Sequence, residues 1–182
     1  MEFEEKVEKI EEIYQGAILD VAKETVRLPD GQTAYREIIH HSGAVGVLAI
    51  TPEDKIVLVR QWRSPLRKTT LEIPAGKIDP GEELTPLATV KRELNEEVRY
   101  QAGNIQEVNS YYNSVGYSDE IMYFYYATDL KPVEEPLPRD DGEFIEVVEL
   151  TFEQAQAELK KGTEICDSKT IMALWYWELL RK

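Results

Sequence analysis

Three carboxylates crowd one short stretch, VKRELNEEV at residues 90–98, where Glu93, Glu96 and Glu97 recur three and four residues apart beside Arg92. On a helix, like charges at that spacing repel by roughly 0.2–0.5 kcal/mol per pair, and the chain already carries a net charge of −14. Binding of hard cations would offset the repulsion. Mg²⁺ prefers oxygen ligands, keeps several waters, and is held by one or two carboxylates together with substrate phosphates. The competing reading is a solvated charge face, the common fate of an acidic helix.

The elements around these residues favour the cation. Thr85 is a good N-cap and Pro86 suits the first helical position, so a helix starts there. At about 100° per residue, Leu87, Val90, Leu94 and Val98 fall within an arc of about 80° and form the predicted buried stripe. Glu93, Glu96 and Glu97 share their own arc of about 100° at the shoulder of that stripe, against the rest of the protein. Ahead of the helix, PAGKIDPGE places Gly76 and Gly81 where backbone approaches a ligand closely, with Glu82 at its end.

The rest of the chain reads as strands followed by helices. Residues 17–41 predict a hairpin around LPDGQ, and GAVGVLAI and KIVLVRQW predict a second strand pair across TPEDK. TTLEIPAG is a further short strand; NSYYNS and EIMYFYYATDL have strand composition, and EFIEVVEL is the last strand. Thr151 with Gln154 forms a capping-box pattern for a helix carrying Phe152, Ala155 and Leu159 on one face and stopping at Gly162. A final helix from Asp167 or Ser168 carries Ile171, Leu174, Trp175 and Leu179 at helical period. The polar loop KPVEEPLPRDDGE at 131–143 is long enough to be functional.

Composition narrows the function. With 182 residues the chain fits one domain with a substantial core, and the excess of 35 acidic over 21 basic residues argues against nucleic acid or an anionic membrane as partner. The N-terminus has no signal-peptide pattern and no segment reaches membrane-spanning length. The lone Cys166 cannot form an internal disulfide, which is compatible with a cytoplasmic location.

Gly76, Glu82, Arg92, Glu93, Leu94, Glu96, Glu97 and Tyr100 together resemble the Nudix hydrolase box. Two departures stand out: nine residues separate Glu82 from Arg92 where the family has seven, and Arg99 replaces the glycine that ends the helix. That helix therefore either stops on a left-handed arginine or runs on toward Gly103. YREIIHHSGAVGVLAI, VLVRQWRSPL, LEIPAGKIDPGE, GYSDE and EFIEVVEL extend the resemblance over nearly the whole chain, toward the ADP-ribose pyrophosphatase branch.

The resemblance implies an α/β Nudix fold: an α/β/α sandwich with a mixed β-sheet in residues 43–182, and an N-terminal antiparallel β-hairpin region in residues 1–42 that forms a homodimer. It implies Mg²⁺-dependent cleavage, with Mn²⁺ as the alternative metal, of ADP-ribose to AMP and ribose 5-phosphate. Glu93 and Glu97 are then the main metal ligands, with Glu96 sharing and the carbonyl of Ala75 completing a site, while Arg92 orients a carboxylate. The base comes from RDDGEF, as Asp141 or Glu143, with the other adding to the metal; a solvated loop is the alternative.

The resemblance also implies that Arg36 and Arg63 are the phosphate binders, and guanidinium offers paired donors to phosphate; a surface ion pair is the alternative for Arg63. Tyr14 and Trp62 either stack on a base or sit in the core. Gly116 and Glu120 in SVGYSDE bind substrate, but Val115 stands where the branch carries proline, which widens the substrate to nucleoside diphosphate sugars or NADH. His40, His41 and Cys166 read as structural. Other classes are a noncatalytic nucleotide-sugar sensor, an interaction protein using its acidic surface, and an mRNA-decapping enzyme; the intact carboxylates oppose the first and the acidic surface the last.

Overall fold

The computed structural model describes residues 3–79, 81, 85–139 and 142–182. In chain order they form β1 (Lys6–Gln15), β2 (Asp20–Arg27), β3 (Thr33–His40), β4 (Ala44–Ala49), β5 (Lys55–Arg63), β6 (Lys68–Glu72) and β7 (Ala75–Lys77). Helix α1 (Pro86–Glu96) follows, then β8 (Tyr100–Tyr112), β9 (Ile121–Pro132), β10 (Glu146–Thr151), α2 (Phe152–Lys161) and α3 (Ser168–Leu180). This is an α/β chain with sheets ordered β1-β2-β3, β10-β5-β6 and β7-β4-β9-β8. Contacts gather into two units: the chain up to Gly43 with Tyr111–Met122, and Ala44–Ser110 with Tyr123–Lys182.

In the first unit, β2 and β3 form the expected antiparallel hairpin, and Gly31 takes a positive φ of 86° in its turn. β1 adds a third strand that pairs with β2. The acid-rich β1 shows no half-buried alternation, because every one of its residues is exposed. At the other end of β3, His40 Nδ1 meets Asp119 at 2.6 Å and the His41 N–H donates to the same carboxylate at 2.9 Å. These bonds tie the end of β3 to Asp119.

The second unit is organised around β4, buried along its whole length. Val45, Val47 and Ala49 share a core with Val90, Leu94 and Val98 of the α1 region. Gly46 and Leu48 face the opposite way, and α3 also packs on this strand. β4 and β5 do not form the predicted hairpin. Apart from a single bridge between Ile50 and Ile56, β4 lies with β7 and β9 while β5 lies between β10 and β6. Both strands are apolar enough to be covered on two faces, so each becomes interior to a different sheet.

TTLEIPAG likewise divides, into β6 and β7. Proline at 74 has no N–H for a ladder, while its carbonyl accepts from Val47 at 2.9 Å. The Ile73 N–H is met by the Thr170 hydroxyl of α3 at 3.0 Å. The chain thus passes from one sheet to the other without stranding a buried donor.

Two predicted helix faces need correction. Leu87 is 39% exposed, since burial in α1 begins at Thr89 and Val90. In α3, Trp175 and Leu179 are exposed and the buried positions are Thr170, Ala173, Leu174 and Trp177. That helix is apolar nearly all round, so periodicity alone does not select its inner face. The α2 boundaries follow the sequence: Thr151 and Gln154 complete the capping box, and Gly162 ends the helix at φ 64°.

A buried ionic cluster fastens β5, β6 and α3 together. Glu72 accepts two hydrogen bonds of 2.7 Å from Arg63, one of 2.6 Å from Thr70, and one from Lys169. Lys169 also reaches Asp167 at 3.0 Å. Burial alone would raise the Glu72 pKa, but Arg63, Lys169 and Thr70 outweigh it and hold the carboxyl at about 2.

Because this folded-state pKa lies below the ordinary carboxylate value, the stabilisation is present above about pH 4.5 and is lost as pH falls toward 2. The shift corresponds to about 3 kcal/mol. Glu72→Gln is expected to lower stability at pH 7 by about that amount, with the gap to wild type closing between about pH 5 and 2. Urea unfolding across that range checks it.

Candidate active site

Helix α1 carries its carboxylates against β7. Glu93 is 8% exposed and Glu97 only 2%. A Glu97 oxygen accepts from the Ala75 N–H at 2.9 Å. Arg92 donates from one nitrogen to Glu93 at 2.7 Å and to Glu96 at 2.9 Å, and from the other to the Lys77 carbonyl at 3.2 Å. It also pairs with Asp79 at 3.4 Å. Thr85 precedes the helix as predicted, but its side chain makes no cap hydrogen bond; Pro86 and the Thr85 carbonyl, which accepts from Ala88 at 2.7 Å, set the first turn.

The helix ends on Arg99 in the left-handed conformation, φ 64°. Of the two outcomes left open by the missing glycine, the stop occurs. Its N–H bonds the Asn95 carbonyl at 3.2 Å, and its guanidinium donates to the carbonyls of Asn95 and Leu137. A left-handed L-residue costs roughly 1–2 kcal/mol, and these side-chain bonds offset that cost.

Gly76 lets the Glu93 carboxylate lie where a Cβ would be. A Cβ built there would lie 1.8 Å from Glu93 Oε1. The strand forming the floor of the site thus lets the carboxylate approach backbone more closely than any side chain permits. Ala75 and Gly76 are fixed by antiparallel pairing with Gly46 and Val45 of β4.

Burial pushes the Glu93 carboxyl up to about 7, with the charges of Glu96 and Glu143 adding to the rise and Arg92 opposing it. Burial also drives Glu97 well above the ordinary range, helped by Glu93 and Glu143 and resisted by the Ala75 N–H and Lys169. Glu143, half-buried, is therefore within electrostatic reach of both helix glutamates. The structure thus brings the sequence-predicted Glu93, Glu96, Glu97, Arg92 and Ala75 together, with the charge of Glu143 acting on both Glu93 and Glu97. Asp141 and Glu82 lie outside the described residues.

Arg63 joins them through Glu72: its bonds to that carboxylate, and the charge of Glu97 beyond, hold it more firmly protonated. Trp62, next to it on β5, is 60% exposed and so not a core residue. The remaining candidates belong to the first unit. Arg36 is held by Glu5 at 2.9 and 2.5 Å. Tyr14 is exposed on β1, Gly116 has open space where a Cβ would lie, and Glu120 accepts from Asn113 at 3.1 Å. Sequence reading missed Glu72 and Lys169. An acid inside the apolar run TLEIP was the available signal, since a buried carboxylate demands cationic partners.

Among the described residues, no three His, Cys, Asp or Glu side chains already converge as a metal-ligand set. The donor chemistry nonetheless fits a divalent cation: hard oxygens, two buried carboxyls one helical turn apart, and a glycine floor that lets Glu93 lie close against the backbone. The same region carries the family signature. Residues 40–173 match the NUDIX domain.

This chain belongs to the Nudix family. It is 44% identical to an ADP-ribose pyrophosphatase of Bacillus subtilis (strain 168) over 176 residues, covering 97% of this chain and 94% of the relative. It is also 44% identical to a methanol dehydrogenase activator of Bacillus methanolicus, with the same coverage of each. A solved structure, an ADP compounds hydrolase, superposes with a TM-score of 0.83 over 97% of this chain and 94% of that one at 21% identity, which establishes the Nudix fold. The enzyme class follows from the family: a Nudix hydrolase, acting on diphosphate bonds.

Gly76→Ala tests the floor of the site. Its methyl group displaces the Glu93 carboxylate, so divalent-cation affinity is expected to fall at least about tenfold, about 1.4 kcal/mol. Calorimetric titration with Mn²⁺ checks it, and an unchanged affinity would remove Glu93 from the cation site.

Proposed function

We propose that this Nudix hydrolase cleaves the diphosphate of ADP-ribose to AMP and ribose 5-phosphate, with Mg²⁺ as its metal and Mn²⁺ as the substitute. The observation that carries the reading is the buried pair Glu93 and Glu97 set against the glycine-cleared backbone of β7. The substrate is supported by the near full-length similarity to the Bacillus subtilis ADP-ribose pyrophosphatase.

A divalent cation, when bound, supplies positive charge to diphosphate oxygens and makes water a stronger acid. Glu93 and Glu97 would hold it, with Glu96 and the Ala75 carbonyl completing the donors. Arg92 keeps Glu93 and Glu96 oriented by its paired bonds. Glu143 or Asp141 takes the proton from the attacking water, and the other adds a ligand. Arg63, fixed by Glu72, offers its guanidinium to phosphate, and Arg36 has the same chemistry. Trp62 and Tyr14 present exposed rings on which a base stacks, and Gly116 and Glu120 contact the substrate.

Val115 in place of the branch proline keeps nucleoside diphosphate sugars and NADH as the second reading. Assays with Mg²⁺, and separately Mn²⁺, on ADP-ribose, ADP-glucose, UDP-glucose, NADH and a diadenosine polyphosphate decide between them. ADP-ribose is expected to turn over fastest and only with metal. Glu97→Gln is expected to lower that rate about 100-fold or more while the circular dichroism spectrum stays unchanged. Cleavage of none of the panel would sink the substrate reading, and full activity in chelator would remove the cation-binding role from Glu93 and Glu97.

We also infer a homodimer formed through the N-terminal strands. Val7, Ile10 and Ile13 of β1 are exposed apolar residues that a second copy would cover. Sedimentation of the full chain is expected to give twice the monomer mass, and removal of residues 1–15 a monomer; a monomeric full chain would refute it.

A further inference from the structure

Between β9 and β10, residues 133–139 are tied to the C-terminal turn of α1. Asn95 donates to the Glu135 carbonyl at 3.2 Å and accepts from the Leu137 N–H at 2.8 Å. Arg99 donates to the Leu137 carbonyl. Arg139 makes the most connections of the three. Its Nε donates to the Glu96 carbonyl at 3.2 Å, one Nη to the Glu97 carbonyl at 3.0 Å, and the other to the Ile145 carbonyl at 3.1 Å.

Two of these acceptors are expected for a cation at a helix end. Carbonyls of the last turn lack intrahelical partners and carry the negative pole of the helix. The third acceptor is not, because Ile145 belongs to the far end of the loop. A planar guanidinium has donors on several edges in fixed geometry. It therefore sets the distance between the end of α1 and the start of β10.

Glu143 lies two residues before Ile145. The helix glutamates sit on a rigid element, whereas Glu143 sits on a loop and is repelled by both of them. A group that works jointly with others needs placement within about 0.5 Å. We propose that Arg139 is a positioning residue: its three bonds to backbone carbonyls hold Glu143 in register with Glu93 and Glu97. The inference rests on the hydrolytic role proposed above for Glu143. All three acceptors are main-chain oxygens, so the clamp persists when side chains of the site change partner.

The test is a double-mutant cycle on ADP-ribose hydrolysis with Arg139→Met, Glu143→Gln and the two combined, alongside amide hydrogen exchange. Arg139→Met is expected to lower kcat by about 10–100-fold with KM within about threefold. The combined variant should be no slower than Glu143→Gln alone, because residues acting through one group are not additive. Exchange at Gly142–Glu146 should speed up while α2 and α3 stay protected.

Multiplying losses, or wild-type kcat in Arg139→Met, would overturn the inference. If Arg139→Met does not fold, Arg139→Lys carries the same cycle, since one ammonium cannot span all three carbonyls. If wild-type protein leaves ADP-ribose intact, the substrate reading fails by itself. Exchange then still decides the clamp, and unchanged exchange at Gly142–Glu146 overturns it.

Discussion

Glu93 and Glu97 lie about one helical turn apart, buried, against the main chain of β7. An ionised carboxylate in that setting costs several kcal/mol unless a counter-charge or a proton meets it. The rest of the second unit is arranged so that this cost cannot be escaped by movement. The apolar stripe of α1 is locked onto β4, β4 is covered on both faces, and the sheet crossing at Pro74 delivers β7 to the glutamates. A helix free to roll would turn them to water. This one is prevented by Val90, Leu94 and Val98 in the shared core.

The same unit contains a glutamate treated the opposite way. Glu72 is as buried as Glu97, yet Arg63, Lys169 and Thr70 hold it near 2, while Glu93 sits near 7. The difference lies in the partners and not in depth. Glu72 has its counter-charges built into the chain, so it behaves as a structural rivet. Among the described residues, Glu93 and Glu97 are met by Arg92, the Ala75 N–H and the charge of Lys169, which leave both carboxyls raised above the ordinary range.

How much of this was visible in the sequence depended on whether one short segment contained the information. The spacing of Glu93, Glu96 and Glu97, the caps of α2 and the hairpin at Gly31 are local, and each was found where the residues indicated. Strand partnership is not local: β4 and β5 are neighbours in the chain yet belong to different sheets, because two apolar runs satisfy many pairings equally. Leu87 and Trp175 were misplaced for a related reason, since periodicity defines a stripe but not where the surface it packs on ends. Glu72 with Lys169 and Arg139 with Ile145 join residues whose relation appears only once the chain has folded.

Arg99 sets one local cost against one distant contact. A glycine at that position would relieve the left-handed backbone but would have no side chain to reach Leu137. An arginine accepts the unfavourable backbone and in return moors the loop that holds Glu143. The two virtues cannot be combined in one residue. A glycine here would leave the loop to be fastened by other means, and the arginine that fastens it forgoes the ordinary helix-ending signature. A box pattern that insists on glycine therefore passes over a chain such as this one.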